Sequence, residues 1–229
     1  METLSQRFTF APGCGWKRPG RFVLPAGVRV LVAALPLLGV SASHAYLVTI
    51  TAGPQALYLQ VGAGTITGGN FNAGGVPGNN AAINRVSVTV PAASLGAGTR
   101  PMTTDSTVTA SPYDGFNFCG VPAQVYIGGM YRTPGAAANA TLTATAPANL
   151  VNGTGNTIPF STISWVSGGS GDATATIPSG TFVGGAAQTL YSVTRNNWFE
   201  SCFQFNYANL QLAPSGTFTG RVSYTLTAP

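Results

Sequence analysis

Apolar and polar side chains alternate with a period of two through most of this chain, in short runs separated by clusters of Gly, Pro, Asn and Ser. Such alternation turns one face of an extended strand to a core and the other outward, whereas a helix needs apolar residues three and four apart. The runs are AYLVTIT at 45–51, QALYLQV at 55–61, INRVSVTV at 83–90, STVTA at 106–110, AQVYIGGMYR at 123–132 and ATLTATA at 140–146. TIPFSTISWV at 157–166, QTLYSVTR at 188–195, RNNWFESCFQFNY at 195–207 and TFTGRVSYTLTA at 217–228 complete the series. About ten short strands with turn signals between them predict an all-β chain, an antiparallel β-sandwich with a small β-barrel as the alternative. A membrane barrel fits the length, but aromatic girdles are not evident and the chain ends on Pro229.

The run at 195–207 is the densest. In a strand, Phe199, Ser201, Phe203, Phe205 and Tyr207 share one face, and Trp198, Glu200, Cys202, Gln204 and Asn206 the other. The first set reads as a core stripe and the second as an outer face. DGFNFCG at 114–120 repeats the phase, with Phe116 and Phe118 set against Asn117 and Cys119. Between the strands, GAGTITGGNFNAGGVPGNN at 62–80 reads as a mobile Gly/Asn-rich loop or an irregular edge. It lacks the Gly-Lys-Ser/Thr and following helix of a phosphate-binding loop. PSGTFVG at 178–184 recurs as PSGTFTG at 214–220, a reused turn that opens the next strand.

The first 45 residues break this pattern. Basic residues Arg7, Lys17, Arg18, Arg21 and Arg29 precede the apolar run VLVAALPLLGV at 30–40, and SASHA follows, with Ser43 and Ala45 at the small positions of a signal-peptidase site. This predicts a secretory signal cleaved after Ala45, since the run is shorter than the roughly 18 residues of a spanning helix. A single domain over 46–229 remains. Its charges are Arg85, Arg100, Arg132, Arg195 and Arg221 against Asp105, Asp114, Asp172 and Glu200, so its net charge is 5 − 4 = +1. The basic balance of the full chain belongs to the leader, and five scattered arginines make no nucleic-acid footprint.

Chemistry is bounded by what is missing. His44 is the sole histidine and Lys17 the sole lysine, and both lie in the leader. Residues 46–229 therefore hold no Ser-His-Asp triad, Cys-His dyad, His-ligated zinc or Schiff base, and no cofactor or metal motif is legible. A carboxylate pair of the glycosidase kind is the catalytic option left open. Cys14 departs with the leader, and an even pair, Cys119 and Cys202, reads as a disulfide in an exported chain. Both cysteines travel with the outer sets, so the bridge is expected to fasten a loop across an outer face or edge instead of crossing the core. Trp198 and Glu200 on that face carry two readings. One is a glycan-binding patch, with Trp165, Tyr131 or Tyr113 as further platforms; the other is a partly covered Trp beside a solvated charge paired with Arg195 or Arg132.

The chain ends on SGTFTGRVSYTLTAP, with Phe218, Val222, Tyr224 and Leu226 on one face and Arg221, Ser223, Thr225 and Thr227 on the other, after Gly216. A glycine there, followed by alternating apolar residues to the terminus, resembles the terminal strand of chaperone-usher pilus subunits and of spore-coat-U-like secreted proteins. The resemblance implies an immunoglobulin-like sandwich completed by a periplasmic chaperone, or in a fibre by a neighbouring copy, through β-strand addition. YLVTITAGPQALYLQV at 46–61 is then either a donor strand or the first strand of the domain. The expectation is an exported structural or adhesive protein, a fimbrial subunit without catalytic activity, in the periplasm, at the cell surface or outside the cell. A carbohydrate-binding module and a glycan-active enzyme using Asp and Glu are the alternatives.

Overall fold

The computed structural model describes residues 47–78 and 84–229, together with the backbone of one strand, Glu2–Gln6. The signal expected over 1–45 lies otherwise outside the described residues. The strands are β1 (Glu2–Gln6), β2 (Leu47–Thr49), β3 (Ala56–Val61), β4 (Ile66–Thr67), β5 (Val76–Pro77), β6 (Arg85–Ser87), β7 (Arg100–Pro101) and β8 (Thr103–Thr104). They continue as β9 (Gln124–Arg132), β10 (Ala140–Thr145), β11 (Asn149–Val151), β12 (Thr157–Pro159), β13 (Ile163–Gly168), β14 (Gly180–Thr181), β15 (Ala187–Val193), β16 (Asn197–Tyr207) and β17 (Gly220–Thr227).

Two sheets form an all-β sandwich. The first runs β15-β10-β17-β1-β6-β8 and the second β14-β13-β16-β9-β3, with β2 and β7 also paired to β16. Pairing between named strands is antiparallel except between β1 and β6. Among the described residues neither sheet closes on itself, and the architecture is the sandwich and not the barrel. Leu142, Val193, Val222 and Tyr224 of the first sheet meet Val125, Ile127, Phe199, Phe203 and Phe205 of the second in one core. The expected core stripe of 199–207 is thus its centre, and the C-terminal strand keeps its expected phase, with Phe218, Val222 and Tyr224 buried and Arg221 exposed. Phe182 and Phe218, at matching places in the two PSGTF turns, are both buried in this core, which is what the repeated turn delivers.

Several runs behave differently from their pattern. TIPFSTISWV splits at Pro159, whose fixed φ of −55° leads into a 3-10 turn over Phe160–Thr162. Of INRVSVTV, β6 covers only Arg85–Ser87, and Val88 to Val90 run on outside any named strand. STVTA forms no strand, contributing a single bridge from Ala110 to Asn117. The largest correction concerns 62–80. Its described part carries the β4–β5 hairpin and a 3-10 turn, Phe71–Ala73, and Phe71 packs on Trp198 with ring centroids 4.9 Å apart. This glycine-rich segment is a cover over the second sheet, held by aromatic contact that composition does not reveal.

Candidate functional site

A second layer lies on the outer face of the second sheet. Ile50, Tyr58, Met130 and Trp198 form one cluster beneath Phe71 and Tyr113, and Phe118, Cys119, Tyr126 and Cys202 form another. The Cys119–Cys202 disulfide is present, with Cα atoms 5.5 Å apart and a sequence separation of 83. It ties the 106–120 segment to β16 on the face opposite the sandwich core, as the phase of the two cysteines predicts. Backbone bonds from Ser111 N to Phe116 O and from Phe118 N and Cys119 N to Thr109 O fold the segment on itself, and Ser170 N donates to Phe118 O from outside it.

Glu200 sits beneath this cover at 0% exposure. Tyr126 Oη donates to its Oε2 at 2.7 Å and Trp198 Nε1 to the same oxygen at 2.9 Å. Among the described residues no cation pairs with it: Arg195 donates to Gly135 O and Arg132 to Pro54 O, so neither expected pairing forms. Burial pushes the Glu200 carboxyl up to about 7, against the Tyr126, Trp198 and Ser111 hydrogen bonds that favour its charged form; Asp114 adds a further upward push. Burial likewise raises the Tyr126 hydroxyl well above its usual value, with Glu200 reinforcing it. The result is a carboxyl close to half neutral near neutrality, inside the protein.

Gly128 makes this geometry possible. It lies opposite Glu200 in the β9–β16 ladder, and a Cβ there would run into the Tyr126 hydroxyl and come within 2.8 Å of Glu200 Cβ. Gly128→Ala is therefore expected to cost about 1–3 kcal/mol through overpacking. Gly153→Ala, where a Cβ meets nothing within 4 Å, is the control. Denaturant unfolding of both variants tests this, and equal midpoints would dismiss it.

The expected ligand patch is corrected by burial. Trp198, Glu200, Tyr131 and Trp165 are 0%, 0%, 1% and 3% exposed. They also divide between faces: Trp165 and Tyr131 belong to the sandwich core, with Trp165 stacked on Phe203 and donating to Pro178 O at 2.8 Å, whereas Trp198 lies in the outer layer. They form no exposed platform: Trp165 and Tyr131 are buried in the sandwich core, and the 62–78 and 106–120 segments cover Trp198 and Glu200 on the face that alternation marked as outer. Tyr113, half-buried, packs on Trp198 with centroids 5.7 Å apart. Tyr126 was missed as the partner of Glu200; its signal was the phase of AQVYIGGMYR, which sets Tyr126, Gly128 and Met130 against the core-facing residues.

A second candidate is the place where the first sheet is joined. β1 pairs with β17, Glu2 to Gln6 opposite Tyr224 to Gly220, and with β6 through Ser5–Arg85 and Gln6–Val86. Past the end of β1 lies a cavity of about 130 Å³ lined by apolar residues that include Val88, Val90, Leu95, Ile158 and Phe218. No carboxylate is among the described residues that line it. Among the described residues no three His, Cys, Asp or Glu side chains gather to hold a metal, and no helix is long and apolar enough to cross a membrane.

Fold and site together define a disulfide-stapled, two-sheet β-sandwich. Comparison with known proteins adds no family to that class: no family model matches the chain, and no curated protein or solved structure matches it either.

Proposed function

We propose that this chain is an exported structural or adhesive subunit of fimbrial type, whose sandwich is completed by a strand from another polypeptide. The observation that carries this reading is the origin of β1. The strand between β17 and β6 comes from residues 2–6, which the sequence assigns to a leader removed after Ala45. Cleavage takes that strand away and leaves two sheet edges facing each other about 10 Å apart, two strand spacings. Backbone groups at 220–224 and 85–86 lose their partners, and the core beneath Val222 and Tyr224 opens. Such a pair of edges is a template for β-strand addition.

Two further features support it. The buried disulfide suits an oxidising, exported compartment. β2 is paired to β16 and β3 to β9, so both already serve as sheet, and on this reading the completing strand comes from a periplasmic chaperone or a neighbouring copy. The test is export of the full chain into an oxidising periplasm, with intact mass to locate the cleavage and size-exclusion chromatography of the product. The expected product begins at Tyr46 and either polymerises or stays unstable until a strand peptide is added. A sharp monomer whose stability no peptide changes would overturn the reading.

A further inference from the structure

The two segments that cover the second sheet are closed excursions that meet at their tips. In one, Gly78 N donates to Thr65 O at 2.8 Å and closes the loop that carries β4 and β5. In the other, Phe118 N and Cys119 N both donate to Thr109 O, and Cys119 is bonded to Cys202 of β16. Both roots are therefore clamped. The tips join each other through Phe71 N to Pro112 O at 3.1 Å and Asn72 N to Tyr113 O at 2.9 Å, so lifting one lifts the other.

The hold of the joined tips on the sheet is local. Phe71 and Tyr113 pack on Trp198, and the Ser111 side chain hydrogen-bonds Glu200. Asn72, Ala73, Gly74, Gly115 and Asn117 of the tips are exposed. A part with few buried apolar contacts and backbone bonds near solvent opens before the whole fold does.

Beneath the tips lies a carboxyl whose ionisation the closed arrangement opposes. Glu200 is at 0% exposure, and among the described residues no arginine pairs with it. The titratable groups that face it are Tyr126 from β9 and Tyr113 and Asp114 from the tip of 109–119, with Tyr58 of β3 beyond Tyr126. None is basic, and the tip at 70–73 has no titratable side chain. Asp114, whose Oδ1 accepts from Phe116 N at 2.9 Å, sets a second carboxyl on the tip itself, so like charge as well as burial opposes an ionised Glu200. Lifting the tips hydrates Glu200 and separates the two carboxyls, while the roots and the disulfide stay in place.

We propose that the tips of 65–78 and 109–119 form a proton-controlled lid: protonated Glu200 keeps it shut over Trp198 and Tyr58, and ionisation of Glu200 releases it. The lid lies on the outer face of the second sheet and does not depend on how the first sheet is completed.

Hydrogen exchange of the full chain, expressed as protection relative to the intrinsic rate at each pH, reads the lid through the Phe71 and Asn72 amides. The Glu200 carboxyl titrates near 7 when covered and near 4.5 when exposed, so the closed state holds the proton more tightly. Closure is complete below about pH 4.5 and is lost as pH rises through 7. Protection of the two amides should fall by roughly a hundredfold over that span, and at every pH they should exchange faster than the amides of the β9–β16 ladder. Glu200→Gln should hold the protection constant, and Asp114→Asn should keep a pH dependence but raise protection above pH 7. Phe71 and Asn72 amides that exchange only in step with the ladder would show whole-fold opening and no lid. Protection that is flat with pH in the parent, or that falls equally in Glu200→Gln, would show a lid that Glu200 does not control. Either result overturns the proposal. If Glu200→Gln does not fold, Asp114→Asn decides: protection identical to the parent above pH 7 overturns it.

Discussion

Replacing Cys119 and Cys202 together by Ala lowers stability by about 4 kcal/mol, a fall in Tm of roughly 8–16 °C for a domain of this size. The bridge closes a loop across a sequence separation of 83, so most of the effect comes from the freedom that the unfolded chain regains. A local effect adds to it. With the bridge gone, the 106–120 segment is held over the sheet by non-covalent contacts such as Phe118–Tyr126 and Tyr113–Trp198, and it opens more readily. Limited proteolysis should cut first within this segment, and thermal unfolding of oxidised, reduced and double-Ala protein measures the rest. A double-Ala variant within a degree or two of the parent would show that the cover is held by packing alone.

The second large effect is a stability that declines as pH rises. The Glu200 carboxyl titrates near 7 in the folded protein and near 4.5 when unfolded. The folded state therefore holds the proton more tightly, its contribution is complete below about pH 4.5, and it is lost as pH rises through 7. The span corresponds to about 3 kcal/mol between acid and mildly alkaline conditions. Glu200→Gln keeps the shape and cannot ionise, so its unfolding free energy should be nearly flat over that range and exceed that of the parent above neutrality. Denaturant titrations of both proteins at several pH values read this directly. A parent protein that gains stability across the same range would show Glu200 ionised and stabilised, against the geometry. The two predictions are coupled: without the disulfide, water reaches Glu200 more easily, so the pH dependence should shrink.

Glu200 also shows where reading from sequence stops. Its neighbours in the chain correctly assign it to the face opposite Phe199 and Phe203, yet that face holds a buried acid beneath Phe71, Tyr113 and the Cys119 segment, not a solvated charge or a ligand platform. Alternation states which residues share a side; it carries no information on what packs against that side. The covering residues lie more than 75 positions earlier in the chain, in segments whose composition reads as loop.

The sequence by itself determined the all-β class, the two faces of β16 and β17, and a cysteine pair on the outer side of a sheet, because strand periodicity and cysteine phase are local. Only the tertiary structure decided that the outer face is closed, that Tyr126 reaches Glu200 across Gly128, and that residues 2–6 lie between β17 and β6. Those outcomes depend on pairing between segments far apart in the chain, where backbone hydrogen bonds have no side-chain code and burial is set by whichever distant surface arrives to cover them.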